Sequence, residues 1–176
     1  MNILIVSPLF PPDTGAPADY VKELASRLES THKVTLLVYG YLPELVENVS
    51  IQTIDKRTSV PVRLLAFTKA LFAHKSHDIV VINNGPSVEL PALLFSLFMR
   101  TPLILVVSDP IAHAASAHGA YAFLHRLLKK RALRNIVVDE VSIYKKAERL
   151  PFEYFDEARE TQRNNWWQQH LNQLLP

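Results

Sequence analysis

Polar side chains that could do chemistry follow several of the predicted strands. Ser7, Ser108 and Ser142 each follow a strand candidate, and Asn84 follows another. None of the serines lies in the G-x-S-x-G turn that presents a serine nucleophile, so the pattern disfavours a hydrolase triad. The amide of Asn84 can hydrogen-bond a polar ligand, but its Asn-Asn-Gly-Pro context is equally typical of a structural turn.

A metal site is disfavoured although the chain has 7 histidines and 17 acidic residues. The pair His74-x-x-His77 and the segment from His113 to His118 have no nearby carboxylate cluster at ligand spacing. The chain also has no cysteine, which excludes disulfides, thiolate nucleophiles and cysteine-based zinc or iron–sulfur sites. The sequence therefore predicts no metal.

The first predicted loop, residues 7–20, has the composition of a ligand-binding turn. It is rich in proline and contains Gly15, which allows unusual backbone angles or a close approach of ligand to backbone. A helix follows at once, and its free N–H groups and dipole favour an anion. A rigid turn with Pro17 at the helix start and Asp13 or Thr14 as the cap explains the same residues equally well.

The elements that position these residues alternate along the chain. Short β-branched runs are separated by segments of helical periodicity, and four of the runs are apolar throughout. Continuous apolarity indicates burial on both faces, which is typical of a mainly parallel sheet between helices. We therefore predict an α/β fold with about six strands, near residues 3–6, 34–38, 49–54, 79–82, 103–107 and 136–138.

Length and charge narrow the class of protein. The 176 residues, 48% of them hydrophobic, suit one compact domain. A net charge of only +2 is too small for a dedicated nucleic-acid binder. We predict an α/β domain over residues 1–150 and a helical tail over residues 151–176, which packs on the domain or on a partner.

The absence of cysteine predicts a cytoplasmic protein, and the apolar segments predict neither a secretory signal nor a transmembrane helix. Residues 1–6 lack the basic and long apolar regions of a secretory signal. The most apolar stretch, residues 88–107, is interrupted by Pro91, Arg100 and Pro102, whereas a transmembrane helix needs about 20 apolar residues.

Three segments resemble the N-terminal domain of family 4 glycosyltransferases, which have the GT-B fold. They are MNILIVSPLFPPDTGAPADYVKELASRLE, DIVVINNGPSVELPALLFSLFMRTPLILVVSDP and LKKRALRNIVVDEVSIYKKAERL. The resemblance covers about residues 1–150. It implies a Rossmann-like three-layer sandwich that forms one half of a GT-B enzyme.

The resemblance implies an acceptor-binding half without its donor half. The expected reaction is hexosyl transfer from a nucleotide-sugar co-substrate to a glycan or lipid-linked acceptor, with the donor domain supplied by another polypeptide and no other cofactor. Alone, the chain is expected to be inactive, because phosphate stabilisation would be missing. The alternative is a non-catalytic binding or scaffold protein with the same ancestry. A flavodoxin-like or receiver-like nucleotide-binding protein is a weaker third option.

The resemblance also assigns site residues. Thr14, Gly15 and Ala16 are expected near the donor phosphate, and Asp109, which matches the acid that follows the fifth strand, is the expected catalytic residue. Ser108 stands where the family usually has histidine, and a serine hydroxyl cannot manage a proton near neutral pH. Asn84, Ser108, His113 and Ser142 are the predicted acceptor contacts.

Two surfaces are candidate interfaces. The expected partner is a donor-domain polypeptide or a second copy of the chain, with Trp166 and Trp167 of the tail as an interface or as a cap on the sheet. A basic helix is the candidate for peripheral contact with the inner membrane face, although a solvated helix face explains it too. Its bases are Arg126, Lys129, Lys130, Arg131 and Arg134.

Overall fold

A computed structural model describes residues 1–116, 118–138 and 157–175. They contain a six-stranded parallel sheet in the order β3-β2-β1-β4-β5-β6. The predicted Rossmann-like α/β sandwich is confirmed. The strands are β1 (Asn2–Ser7), β2 (Lys33–Tyr39), β3 (Ser50–Ile54), β4 (Ile79–Asn83), β5 (Leu103–Val107) and β6 (Arg134–Val137).

Helices connect most of the strands. A short segment, residues 40–49, joins β2 to β3 without a helix. Proline lies in the first turn of four of the helices, where its missing N–H costs no hydrogen bond. The helices are α1 (Ala16–Leu28), α2 (Val60–Ala73), α3 (Pro86–Phe98), α4 (Pro110–Ala115), α5 (Gly119–Arg131) and α6 (Glu157–Leu174).

The main core lies between one face of the sheet and the helices α2, α3 and α5. Successive strand residues point to opposite faces, so Leu4 and Val6 of β1 share this core while Ile3 and Ile5 face the other side. Right-handed crossovers place α1 on that second face, because the connection from β1 to β2 and the connections that lead to β4, β5 and β6 step across the sheet in opposite directions.

The chain divides into two compact units, Met1–Val138 and Asp139–Pro176. The second unit contains α6, in which the Trp166 ring stacks on His170 with ring centroids 4.8 Å apart. The packing expected of the tail stays a prediction. Among the described residues, no helix is long and apolar enough to cross a membrane.

Candidate functional site at the carboxyl edge of the sheet

The strand order reverses between β1 and β4, which are neighbours in the sheet. After β1 the chain crosses to β2 on one side, and after β4 it crosses to β5 on the other side. The loops after β1 and β4 therefore diverge and leave a crevice beyond the carboxyl ends of the strands. Ligands of doubly wound sheets bind in such a crevice. The loops after β1, β4 and β5 therefore define the region in which a site is expected.

Neutral polar side chains fasten these loops to one another. Asn83 Nδ2 donates to Ser7 Oγ at 3.1 Å, and Ser108 Oγ donates to Asn83 Oδ1 at 2.5 Å. Asn84 Oδ1 accepts the backbone N–H groups of Ser108 and Asp109, both at 2.9 Å, and its Nδ2 donates to the Asp109 carbonyl at 2.9 Å. All four side chains, of Ser7, Asn83, Asn84 and Ser108, are buried. We call these four residues the neutral cluster.

The neutral cluster places two predicted acceptor contacts, Asn84 and Ser108, inside a closed set of hydrogen bonds. Asn84 is 0% exposed, so its amide holds the loop after β5 against the loop after β4. The interpretation of residues 83–86 as a structural turn accounts for these hydrogen bonds. Ligand contacts by Asn84 and Ser108 stay predictions.

Asp109, the predicted catalytic acid, caps helix α4. Its Oδ1 accepts the N–H groups of Ile111 at 2.9 Å and Ala112 at 3.1 Å. This is the usual bonding of an N-cap aspartate. The carboxylate is also close enough to Tyr121 to act on the pKa of its phenol.

The first loop reaches α1 through Gly15. Gly15 is the N-cap of α1 with φ +128°, which a side chain would strain, and no side chain caps this helix. Thr14 and Gly15 are exposed, and Ala16 is half-buried. Asp13 instead accepts Phe10 N–H at 3.2 Å and forms an ion pair with Lys56. The cap predicted for Asp13 or Thr14 is therefore absent, and a phosphate near residues 14–16 stays a prediction.

A second group of polar side chains is centred on helix α3, which follows β4. The buried carboxylate of Glu89, in the first turn of α3, receives three hydrogen bonds. Oε1 accepts Gly85 N–H at 3.1 Å and the Tyr121 hydroxyl at 2.6 Å, and Oε2 bonds His125 Nδ1 at 2.8 Å. The ring of His113, on α4, lies edge-on to His125 with centroids 5.9 Å apart. We call Glu89, Tyr121, His125 and His113 the acid–base cluster.

The hydrogen bonds to Glu89 are those of an ionised carboxylate. An ionised carboxylate only accepts hydrogen bonds, and here a backbone N–H, a hydroxyl and a ring nitrogen converge on it. The N-terminus of α3 adds a favourable dipole. Burial, then the hydrogen bond to Glu89 and the charges of Glu89 and Asp109, raise the pKa of Tyr121, so its phenol stays a proton donor.

The bond to Glu89 fixes the proton arrangement of His125. A ring nitrogen facing a carboxylate carries the hydrogen, so Nδ1 donates and Nε2 of the neutral ring keeps a lone pair. Nε2 has no hydrogen bond to any residue within the described ranges. His125 is 6% exposed, whereas His113 beside it is exposed. An imidazole held in this way can exchange a proton with a ligand that contacts Nε2.

Sequence reasoning found two members of this region and missed three. Asp109 and His113 were predicted, and the structure brings them to the same edge as Glu89, Tyr121 and His125, which were not. One signal was available, since Glu89 is the sole acid in residues 86–98. Ser142 lies outside the described residues. Among the described residues, no group of three histidine or acidic side chains could hold a metal ion.

The comparisons with known proteins bear on the fold. No protein-family model matches the chain, and no curated protein matches it. The structure is similar to the C-terminal domain of the coenzyme A biosynthesis bifunctional protein CoaBC, with 12% identity and a TM-score of 0.48 over 77% of this chain and 76% of that one. At this level the likeness concerns the fold alone.

The glycosyltransferase function predicted from the sequence is corrected by these findings. The similar structure is a domain of a coenzyme A biosynthesis protein, and neither the family models nor the curated proteins support glycosyl transfer or polysaccharide biosynthesis. The physical reason lies in the features behind the prediction. A buried strand, a proline-rich turn, a small-residue pair and an amphipathic helix describe the first βα unit of a doubly wound sheet, which serves many functions.

Proposed function

We propose that the chain is an enzyme of the general acid–base type. Its substrate is a small polar molecule that binds over His113 and His125, beyond the carboxyl ends of β4 and β5. The observation that carries this proposal is the 2.8 Å bond between the buried Glu89 carboxylate and His125 Nδ1. A carboxylate on one ring nitrogen prepares the other nitrogen for proton transfer.

Each residue of the acid–base cluster has a distinct role in this proposal. His125 Nε2 takes a proton from the substrate, and Glu89 stabilises the imidazolium that forms. The same nitrogen then returns the proton to the product, so His125 acts first as base and then as acid. Proton transfer by a positioned side chain contributes about 10²–10⁴-fold to a rate. Tyr121 is a positioning residue, because its hydroxyl is already committed to Glu89.

The place of the cluster in the fold supports a binding site. Doubly wound sheets bind ligands beyond the carboxyl ends of their strands. Glu89 belongs to the helix that follows β4, and Asp109 follows β5 at the cap of α4. The exposed His113 ring lies next to the largely buried His125, so a ligand that reaches His113 from solvent would lie near both histidines.

Ligand binding and turnover test the proposal in two steps. Thermal-shift measurements with nucleotides, sugar phosphates and hydroxy acids should find a ligand whose stabilisation is lost in His113→Ala. The matched control is His118→Ala, which removes another exposed histidine five positions away. Proton NMR of the mixture then detects conversion of the ligand.

Conversion should fall at least 100-fold in His125→Gln while ligand binding is retained, because the base is lost and its neighbours remain. The pH profile of the remaining conversion should lose its histidine-dependent limb. Conversion that survives this substitution would contradict the proposal, as would stabilisation that His113→Ala leaves unchanged.

A further inference from the structure

The helices α2, α3 and α5 form one layer on a face of the sheet, which we call the helix layer. The ring of Phe72 in α2 contacts Phe95 and Phe98 of α3, with centroids 5.3 and 6.2 Å apart. Arg131 of α5 donates from Nη1 to the Ser96 carbonyl of α3 at 2.9 Å. These contacts hold the outer surfaces of the three helices side by side.

All exposed charged side chains of the helix layer are basic. Its single acid is Glu89, whose carboxylate is buried in the acid–base cluster. Lys69, Arg126, Lys129 and Lys130 are exposed, and none forms an ion pair with a residue that the structure describes.

Four basic residues outside the helix layer are paired with acids, whereas Lys33, Lys75 and Arg100 are exposed and form no ion pair with a residue that the structure describes. Four ion pairs between basic and acidic side chains lie in residues 13–57: Lys22–Glu44, Arg27–Glu23, Lys56–Asp13 and Arg57–Asp55. The helix layer thus combines several unpaired cations with no exposed acid of its own.

Large apolar side chains share this surface with the cations. Leu94, Leu97 and Phe98 form one exposed stripe of α3, at spacings of three and four residues. Leu65 of α2 and Phe98 are each 73% exposed. Isolated exposed apolar residues are ordinary, whereas apolar residues on adjacent helices beside unpaired bases mark an interaction surface.

We propose that the helix layer docks peripherally on an anionic lipid surface. Exposed leucine and phenylalanine side chains enter the boundary of the acyl chains while lysine and arginine bind the phosphate headgroups. Charge complementarity selects this occupant, because a second copy of the layer would bring like charges together. The surface includes Arg126, Lys129, Lys130 and Arg131 of the basic helix and extends to α2 and α3, whereas Arg134 begins β6.

Co-sedimentation of the full chain with lipid vesicles tests this docking. The chain should pellet with vesicles of equal parts phosphatidylcholine and phosphatidylglycerol and stay in solution with phosphatidylcholine alone. Raising the salt concentration should release it, because screening weakens the attraction of the cations. Each basic residue near an anionic surface contributes a factor of about five to the affinity.

Two variants with matched controls locate the surface. Lys130→Gln should weaken vesicle binding about fivefold, whereas Lys33→Gln, the same change at an exposed residue of β2, should leave it within about twofold. Phe98→Ser should weaken binding about tenfold, whereas Leu45→Ser, at another strongly exposed apolar residue, should have little effect.

Three results would overturn the docking. The first is a chain that stays in solution with the anionic vesicles. The second is equal weakening by Lys130→Gln and Lys33→Gln, which would indicate a response to net charge alone. The third is a dimer in size-exclusion chromatography that Phe98→Ser dissociates, which would show a second copy as the occupant.

Discussion

The two polar clusters at the carboxyl edge are built from different chemistry. The neutral cluster uses hydroxyls and amides, whose bonds join the ends of β1, β4 and β5 to one another. The acid–base cluster uses a carboxylate, a phenol and two histidines, and Nε2 of His125 has no partner within the described ranges. In the neutral cluster, side chains whose charge does not depend on pH hold the loops together. The acid–base cluster beside it consists of side chains that can change charge, and one of them, His113, is exposed.

Removing the carboxylate of the acid–base cluster should have the largest effect on stability. Glu89→Ala leaves the donors of Gly85, Tyr121 and His125 without their acceptor in a buried place. Each buried donor left without its acceptor costs about 1–3 kcal/mol, so we expect the free energy of unfolding to fall by more than about 3 kcal/mol. Urea denaturation measures this, with Glu44→Ala, at an exposed ion pair, as the control that should change stability by less than about 1 kcal/mol. Equal losses in both variants would show that Glu89 is not the centre of a buried cluster.

Removing the hydrogen bonds of the neutral cluster should lower the free energy of unfolding by somewhat less. Asn84→Ala removes three hydrogen bonds to the backbone of the loop after β5, each worth about 1 kcal/mol, so we expect a loss of about 3 kcal/mol. The loss should be the same at pH about 6 and about 8, because no bonding group of the cluster titrates there. Asn135→Ala, an exposed asparagine with one bond to the Lys129 carbonyl, is the control in the same urea experiment. A loss that depends on pH would remove the contrast between the clusters.

The smallest loss of stability is expected when the phenol hydroxyl of the acid–base cluster is removed. Tyr121→Phe removes one hydrogen bond to Glu89 and should cost about 1 kcal/mol near neutral pH. Burial raises the pKa of this phenol above its usual value of 10.0, so the folded state holds the proton more tightly than the unfolded state does. The stability from this group is therefore present below pH about 10 and is lost as the pH rises above that value.

Urea unfolding at a series of alkaline pH values checks the sign of this effect. The difference between wild type and Tyr121→Phe should shrink as the pH rises above about 10. Tyr39, whose pKa burial raises to about 12, is present in both proteins and serves as an internal reference. A difference that grows with pH would contradict the assigned bonding.

The sequence predicted the sheet well because parallel strands buried on both faces are apolar throughout. The buried strand β4 illustrates this, since each of its five residues is buried. Helix α4 was not predicted, because six residues are too few to show a period. The predicted glycosyltransferase function was wrong, since the three segments behind it describe βα units of a doubly wound sheet rather than a reaction.

The candidate site could be predicted only in part, because its bonds join distant residues. Glu89 and His125 are 36 positions apart, and Asn84 and Ser108 are 24 positions apart. No local spacing in the sequence therefore indicates either contact. Asp109 was found because it matches the acid that follows the fifth strand in the resembled family, and His113 because it lies four residues further along the chain. Which helix faces which strand end follows from the strand order, and the order is set by packing of the whole chain.

The tautomer of His125 tests the central claim most directly. Nitrogen-15 NMR of the imidazole, at a pH where the ring is neutral, should show the hydrogen on Nδ1 and a bare Nε2, and Glu89→Gln should change both signals. A hydrogen on Nε2, or ring signals that Glu89→Gln leaves unchanged, would contradict the account.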